Sequence, residues 1–168
     1  ISAIWGAQSI DEARAALNLF DSGPMNWTLA DGKGDVGYTL AGPWPVRDWD
    51  LYDGPPWAPL DGEGGFEWTR IAPPSEALDD LRPAKGYHVD ANGIMTEQNL
   101  DGDPLNDARY LQHFCDLGTR AWRMTGLIHD QLTKGAPPTL DQVAAWQGDD
   151  LSVFALDLLP PLLAQQAT

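Results

Sequence analysis

The stretch GPWPVRDWDLYDGPPWAPLDGEGGFEWTRIAPP, residues 42 to 74, constrains this chain more than any other feature. Proline fixes φ and lacks an N–H, and glycine loses the most backbone entropy on ordering. Regular elements are therefore not expected to persist through a segment so dense in both. A loop this long inside a compact domain is usually functional, or wraps another part of the molecule. Regular structure is expected on either side of it, and the two sides read differently.

On the N-terminal side, SIDEARAALNLF (residues 9 to 20) reads as a helix. Ser9 is its N-cap, Glu12 completes a capping box, and Ile10, Ala13, Leu17 and Phe20 form one apolar stripe. Asp21-Ser22-Gly23-Pro24 stops it. Residues 26 to 30 and 36 to 41, rich in Trp, Thr, Leu, Val and Tyr, suit paired strands. The DGKGD between them has three possible readings. A calcium loop needs alternating oxygen ligands, a distal Glu and flanking helices. A phosphate loop needs a longer glycine spacing, Lys-Ser/Thr and a following helix. DGKGD meets neither pattern and reads as a hairpin turn.

On the C-terminal side, Gly86 to Ala91 (GYHVDA) alternates like a short strand and runs into the turn dipeptide Asn92-Gly93. Residues 119 to 132 read as a helix starting at a Thr cap, with Lys134-Gly135 ending it. Thr139 to Gln142 is a second capping box opening another helix. Residues 150 to 159 form a further one, interrupted at Pro160-Pro161. Helix, hairpin, long loop, strand and helices make an α+β chain. No internal repeat is present.

Composition narrows the function. The 43% of hydrophobic residues is enough for a packed core, so the chain is not compositionally disordered. With 25 acidic against 10 basic residues, the net charge of −15 opposes nucleic acids and anionic membranes, which bind through Lys and Arg. No apolar run is long enough to span a bilayer and no signal segment opens the chain. The lone Cys115 excludes an internal disulfide and a multi-cysteine zinc site, and its HFCDL setting suits an inert, buried thiol. The eight tryptophans are expected mainly as buried anchors of irregular loops rather than one sugar platform. His88, His113 and His129 show no metal-ligand spacing and read as surface or packed residues. No GxSxG elbow presents a serine.

The motifs taken in order carry more than any one of them. NWTLADGKGDVGYTLAG, the Trp-bearing loop with GEGGFEWT, KGYHVDANG, GTRAWRM and TLDQVAAWQGD follow one another along nearly the whole chain. This order resembles the interior of the β chain of penicillin acylases, N-terminal nucleophile hydrolases that include cephalosporin and acyl-homoserine-lactone acylases. The resemblance implies an αββα architecture and an amide hydrolase. Its nucleophile is an N-terminal serine exposed by autocatalytic cleavage of a precursor, with its own α-amino group as base. That serine is expected upstream of the helix near Ser9, so neither Ile1 nor Ser2 fills the role. The chain opens without Met and is expected to be a segment, residues 1 to 168, of a larger β chain.

By position, Asn92 matches the side-chain amide of the family's oxyanion hole. Arg123, the second arginine of R-A-x-R, matches the residue that orients the nucleophile and that asparagine. Gly93 stands where the family has a second Asn. No cofactor for catalysis is implied. A structural calcium is, with Pro56 near the place of a backbone ligand, but no carboxylate ligand can be aligned. The implied partners are the remainder of the β chain, the α chain and a small N-acyl amide, in a periplasmic or secreted setting. Two readings from other classes stand beside this one. One is a non-catalytic module whose Trp44 to Trp68 loop binds glycan or peptide. The other is an accessory interaction protein that has lost catalysis.

Overall fold

The computed structural model describes residues 2–47, 58–93 and 118–166. The chain divides into two compact units, one containing residues 1–88 and the other residues 89–95 and 115–168. Each is treated by itself.

The first unit opens with a four-residue helix, α1 (Ser2–Trp5), and then α2 (Ile10–Leu17). Ser9 caps α2 as expected, its Oγ accepting from the Glu12 N–H at 3.2 Å. The Glu12 carboxylate accepts from the Gln8 N–H (2.8 Å), one residue before the cap. Ile10 and Leu17 face the core, each 1% exposed. The helix stops short of the predicted Phe20. The N–H groups of Asn18, Leu19 and Phe20 bond three residues back, which tightens the chain before the turn. Phe20 still packs inward, edge-to-face with Trp27 at 5.4 Å.

The predicted hairpin is present. β1 (Met25–Ala30) and β2 (Val36–Ala41) pair antiparallel without a slip from Met25↔Ala41 to Ala30↔Val36. The turn is held by Asp31. Its Oδ1 accepts from the N–H groups of Lys33 (2.9 Å) and Asp35 (3.1 Å), and its Oδ2 accepts from the Ile10 N–H (3.3 Å). DGKGD therefore fastens the hairpin to the start of α2. Burial pushes the Asp31 carboxyl upward, but these three donors outweigh it and hold it below the usual carboxylate range. Hydrogen bonding from Arg82 does the same for Asp11.

An acid limit on stability follows. Both carboxyls release protons more readily in the fold than in the unfolded chain. Their contribution is complete above the unfolded value near pH 4 and is lost as pH falls through the native values. Urea midpoints are expected to hold steady from pH 7 to 5 and fall below about pH 4. Asp31→Asn is expected to flatten that fall while lowering the midpoint at pH 7. An unchanged acid limb in this variant would remove Asp31 from the explanation.

β2 is the central strand of the order β1-β2-β5, because β5 (Asp79–Leu81) pairs antiparallel with its other edge. Tyr38 and Thr39 in β2 are fully buried. Thr39 donates to the Asp79 carboxylate at 2.5 Å, and Arg14 of α2 grips the same carboxylate at 2.8 and 2.9 Å. This β5 edge explains why Gly86 to Ala91, expected as a strand, is not one. The place beside β2 is taken, and a turn closed by the Gly86 N–H on Pro83 O (2.8 Å) leads the chain away. His88 stacks on the Tyr38 ring instead, with centroids 4.8 Å apart.

The breaker-rich stretch also holds more order than its composition suggests. β3 (Pro45–Arg47) and β4 (Trp68–Ile71) pair across it, leaving residues 48–57 outside the description. Pro45 begins its strand, where a missing N–H does least harm. Trp44 packs with Ala72 and Leu78, closed over by Leu40 and Val46. Burial was expected of most tryptophans, and three depart from it: Trp5, Trp68 and Trp122 are largely exposed.

In the second unit, α3 (Thr119–Leu132) has the predicted span. Its cap is Gly118 rather than Thr119. At φ +82° Gly118 turns the chain into the helix, and its carbonyl accepts from the Trp122 N–H at 2.8 Å. The box at Thr139 and Gln142 forms in full and opens α4 (Leu140–Gln147). The buried Gln131 ties the two helices, donating to Ala136 O (3.0 Å) and accepting from Gln142 Nε2 (3.0 Å). The last helix, α5 (Val153–Gln166), continues through Pro160 and Pro161, where a break was expected. Both prolines have a φ that suits a helix, and what they remove is two intrahelical N–H donors, a loss α5 tolerates without ending. No helix among the described residues is long and apolar enough to cross a membrane.

Candidate functional site

The stretch Asp90-Ala91-Asn92-Gly93 is a sharply bent piece of backbone with one exposed amide at its tip. Ala91 is buried and anchors it. Asp90 Oδ1 accepts from the Asn92 N–H at 3.2 Å, a local turn that aspartate favours. Asn92 sits at φ +61°, in the left-handed region that asparagine enters more readily than other side-chain-bearing residues. Gly93 does not share that conformation, so Asn92-Gly93 is not the type I′ hairpin turn its sequence suggests.

One arginine of α3 meets this tip. Arg120 Nη2 donates to Ala91 O and to Asn92 Oδ1, both at 2.8 Å. A guanidinium can only donate, so the contact decides which end of the Asn92 amide faces it. Oδ1 turns toward Arg120 and the two Nδ2 protons point away. Nδ2 has no acceptor among the described residues. The result is a neutral donor of fixed direction on an exposed tip.

Arg123, three residues on, goes elsewhere. Its Nε and Nη2 grip the Asp149 carboxylate at 2.9 and 2.6 Å, a two-bond fork between α3 and the junction of α4 and α5. Hydrogen bonding to Asp149 raises the Arg123 guanidinium further above its ordinary range. The same bond, helped by the Leu151 N–H, holds the Asp149 carboxyl below its own, so both partners stay charged near neutrality. The sequence reading paired Asn92 with Arg123; the structure brings Arg120 to Asn92 and Arg123 to Asp149. Residues three apart on a helix share a face, so spacing alone could not separate the two arginines. Arg120 lies nearer the loop end of α3, and that was the one hint available.

His88 is packed, its Nδ1 3.5 Å from the Asp80 carboxylate, and His129 lies exposed on α3. His113, Cys115 and Pro56 are outside the described residues. Among the described residues no three His, Cys, Asp or Glu side chains converge as metal ligands. The first unit has a cleft of about 200 Å³ floored by Leu17, Phe20, Leu40 and Trp44. Arg14 on its wall is already engaged with Asp79.

The bent tip and its arginine lie in a chain whose family is shown by its sequence as a whole. It matches the penicillin amidase family over residues 1–168, its whole length. The chain belongs to the penicillin amidase family. Membership places it among amide hydrolases and agrees with the order of motifs from NWTLAD to TLDQVAAWQGD. It also gives the exposed amide of Asn92 a chemistry to be weighed against.

Proposed function

We propose that this chain supplies the oxyanion-stabilising part of an N-acyl amide hydrolase, with Asn92 as the side-chain donor. The observation that carries the reading is the Asn92 amide, held by Arg120 with Nδ2 outward, in a chain that matches an amidase family from end to end. In this reading an N-terminal serine, supplied elsewhere in the complete protein, attacks the acyl carbon. Its α-amino group takes the hydroxyl proton, directly or through water. The carbonyl electrons move onto oxygen, and Asn92 Nδ2–H donates to the negative charge as it develops. A neutral amide does this without a proton changing hands. Collapse of the intermediate expels the amine, which carries the proton away. Water then releases the acyl group from the serine ester.

Several finer features belong to the same proposal. The chain works as part of an αββα N-terminal nucleophile fold, with the rest of the β chain and the α chain of one precursor. Its substrates are small N-acyl amides such as penicillins, cephalosporins or acyl-homoserine lactones, and its setting is periplasmic or secreted. Arg120 orients Asn92, and Arg123 acts on the same region through Asp149. A structural calcium near Pro56 would stabilise the fold and take no part in the reaction. A second reading rests on the exposed Trp68, with the Arg47 guanidinium 5.9 Å from its ring, as a platform for glycan or peptide.

The test is hydrolysis by the complete protein. Acyl 4-nitroanilides of graded chain length, together with phenylacetyl 4-nitroanilide, are expected to release nitroaniline. Mass spectrometry is expected to find the large chain beginning with serine. Absence of both, with binding of soluble glycans that is lost in Trp68→Ala, would replace the amidase reading with the module.

A further inference from the structure

Asn92 is followed by Gly93, a pair that occurs nowhere else in the chain: Asn18, Asn26, Asn99 and Asn106 precede Leu, Trp, Leu and Asp. The pairing matters because the next backbone nitrogen can attack the asparagine's own Cγ. The ring so formed, a succinimide, runs through Cγ, Cβ, Cα and the carbonyl carbon of the asparagine. A side chain on the following residue hinders that attack, and so does tying its N–H into a hydrogen bond. Neither protection operates at Gly93. It has no Cβ, nothing lies within 4 Å of where one would stand, and its N–H has no acceptor among the described residues.

The amide under attack is also prepared for it. Asn92 is exposed, so water reaches it. Its Oδ1 accepts from Arg120 Nη2 at 2.8 Å, a charge-assisted bond that draws electron density from Cγ. The same guanidinium steadies the negative charge that builds on Oδ1 as the ring closes. Asn18 isolates what the glycine adds. It too is exposed, and its Oδ1 accepts from an arginine, Arg14. Leu19 follows it, however, and the Leu19 N–H donates to Ala16 O at 3.1 Å. A similarly polarised amide there faces a nitrogen that is both hindered and engaged.

We propose that Asn92-Gly93 is a site of spontaneous deamidation. The Gly93 nitrogen loses its proton to a base in the solvent and bonds to Asn92 Cγ. The Cγ–Nδ2 bond breaks, and Nδ2 takes up a proton and leaves as ammonia. Water then opens the ring at one carbonyl or the other, giving isoaspartate or aspartate. Either product has a carboxylate in place of the amide and no Nδ2–H to donate. The modification stands on its own chemistry; only its effect on turnover rests on the amidase reading. On that reading, the residue that steadies an oxyanion for the substrate is itself consumed by the same kind of attack.

The experiment incubates the complete protein in mildly alkaline buffer and samples it for peptide mapping and for turnover of acyl 4-nitroanilides. The peptide holding Asn92 is expected to gain about 1 Da and to separate into two products of equal mass, while the peptide holding Asn18 stays unchanged. Gly93→Ala is expected to slow the conversion roughly tenfold. The fold has room for that alanine, since Gly93 has no positive φ and open space around it. An Asn92 peptide that converts no faster than the Asn18 peptide, or a Gly93→Ala protein that converts at the parent rate, overturns the site. Turnover is expected to fall in step with the mass shift and to last longer in Gly93→Ala. Complete conversion with turnover retained would uphold the modification and remove Asn92 from the oxyanion role, so the two claims fail separately.

Discussion

Replacing Asn92 by glycine in the complete protein is expected to lower kcat by on the order of 10²–10³, with KM little changed. That is the usual cost of losing one preorganised oxyanion donor. Glycine is the informative substitution because Asn92 sits at φ +61°. Alanine would lose the donor and also add strain of about 1–2 kcal/mol at a left-handed residue, mixing a folding effect into the kinetics. Glycine keeps that backbone and removes only the amide. Asn92→Asp separates charge from shape. A carboxylate there would pair tightly with Arg120, already 2.8 Å from Oδ1, and would place negative charge where the oxyanion develops. Its kcat is expected to fall below that of the glycine variant despite the near-identical size. An aspartate enzyme faster than the glycine enzyme would argue that Asn92 shapes the loop and does not donate.

The hairpin and most of the helical pattern were legible because the forces that make them are local. Strand-forming residues on either side of five turn residues fix an in-register pair, and the caps at Ser9 and Thr139 act within three residues. What was not legible depends on distant partners. Asp79-Asp80-Leu81 is a poor strand by propensity. It pairs with β2 because Asp79 is held by Thr39 and Arg14, 40 and 65 residues away in sequence. Once that edge is filled, GYHVDA cannot use the alternation that made it look like a strand. The site divides in the same way. Asn92 stands out through its motif, but of the two arginines it is Arg120 that meets it, while Arg123 binds Asp149, 26 residues further on. The spacing of R-A-x-R contains nothing about that carboxylate.

Gly42→Ala is expected to be the most damaging of the small substitutions in the first unit, costing about 2–6 kcal/mol. The figure combines two effects that glycine alone avoids. At φ +119° any side chain is strained, by about 1–3 kcal/mol. A Cβ at this position would also stand 2.8 Å from Ser22 O, 2.9 Å from Gly23 O and 3.0 Å from Pro24 Cα. All three are backbone atoms of the turn joining α2 to β1, so none can rotate aside, and relief requires moving the turn at a further cost of about 1–3 kcal/mol. Gly34 is the control. It also has positive φ, at +90°, but no atom lies within 4 Å of its would-be Cβ, so Gly34→Ala should show the backbone strain alone. Urea unfolding followed by tryptophan fluorescence is expected to rank Gly42→Ala well below Gly34→Ala, and equal losses would mean that the turn at 22–24 yields freely. A loss this size is a large share of the 5–15 kcal/mol that stabilises a typical domain. The last glycine of NWTLADGKGDVGYTLAG is therefore there for contact as much as for conformation. It lets the end of β2 lie directly against the turn that leaves α2, beside the cleft floored by Leu17 and Trp44.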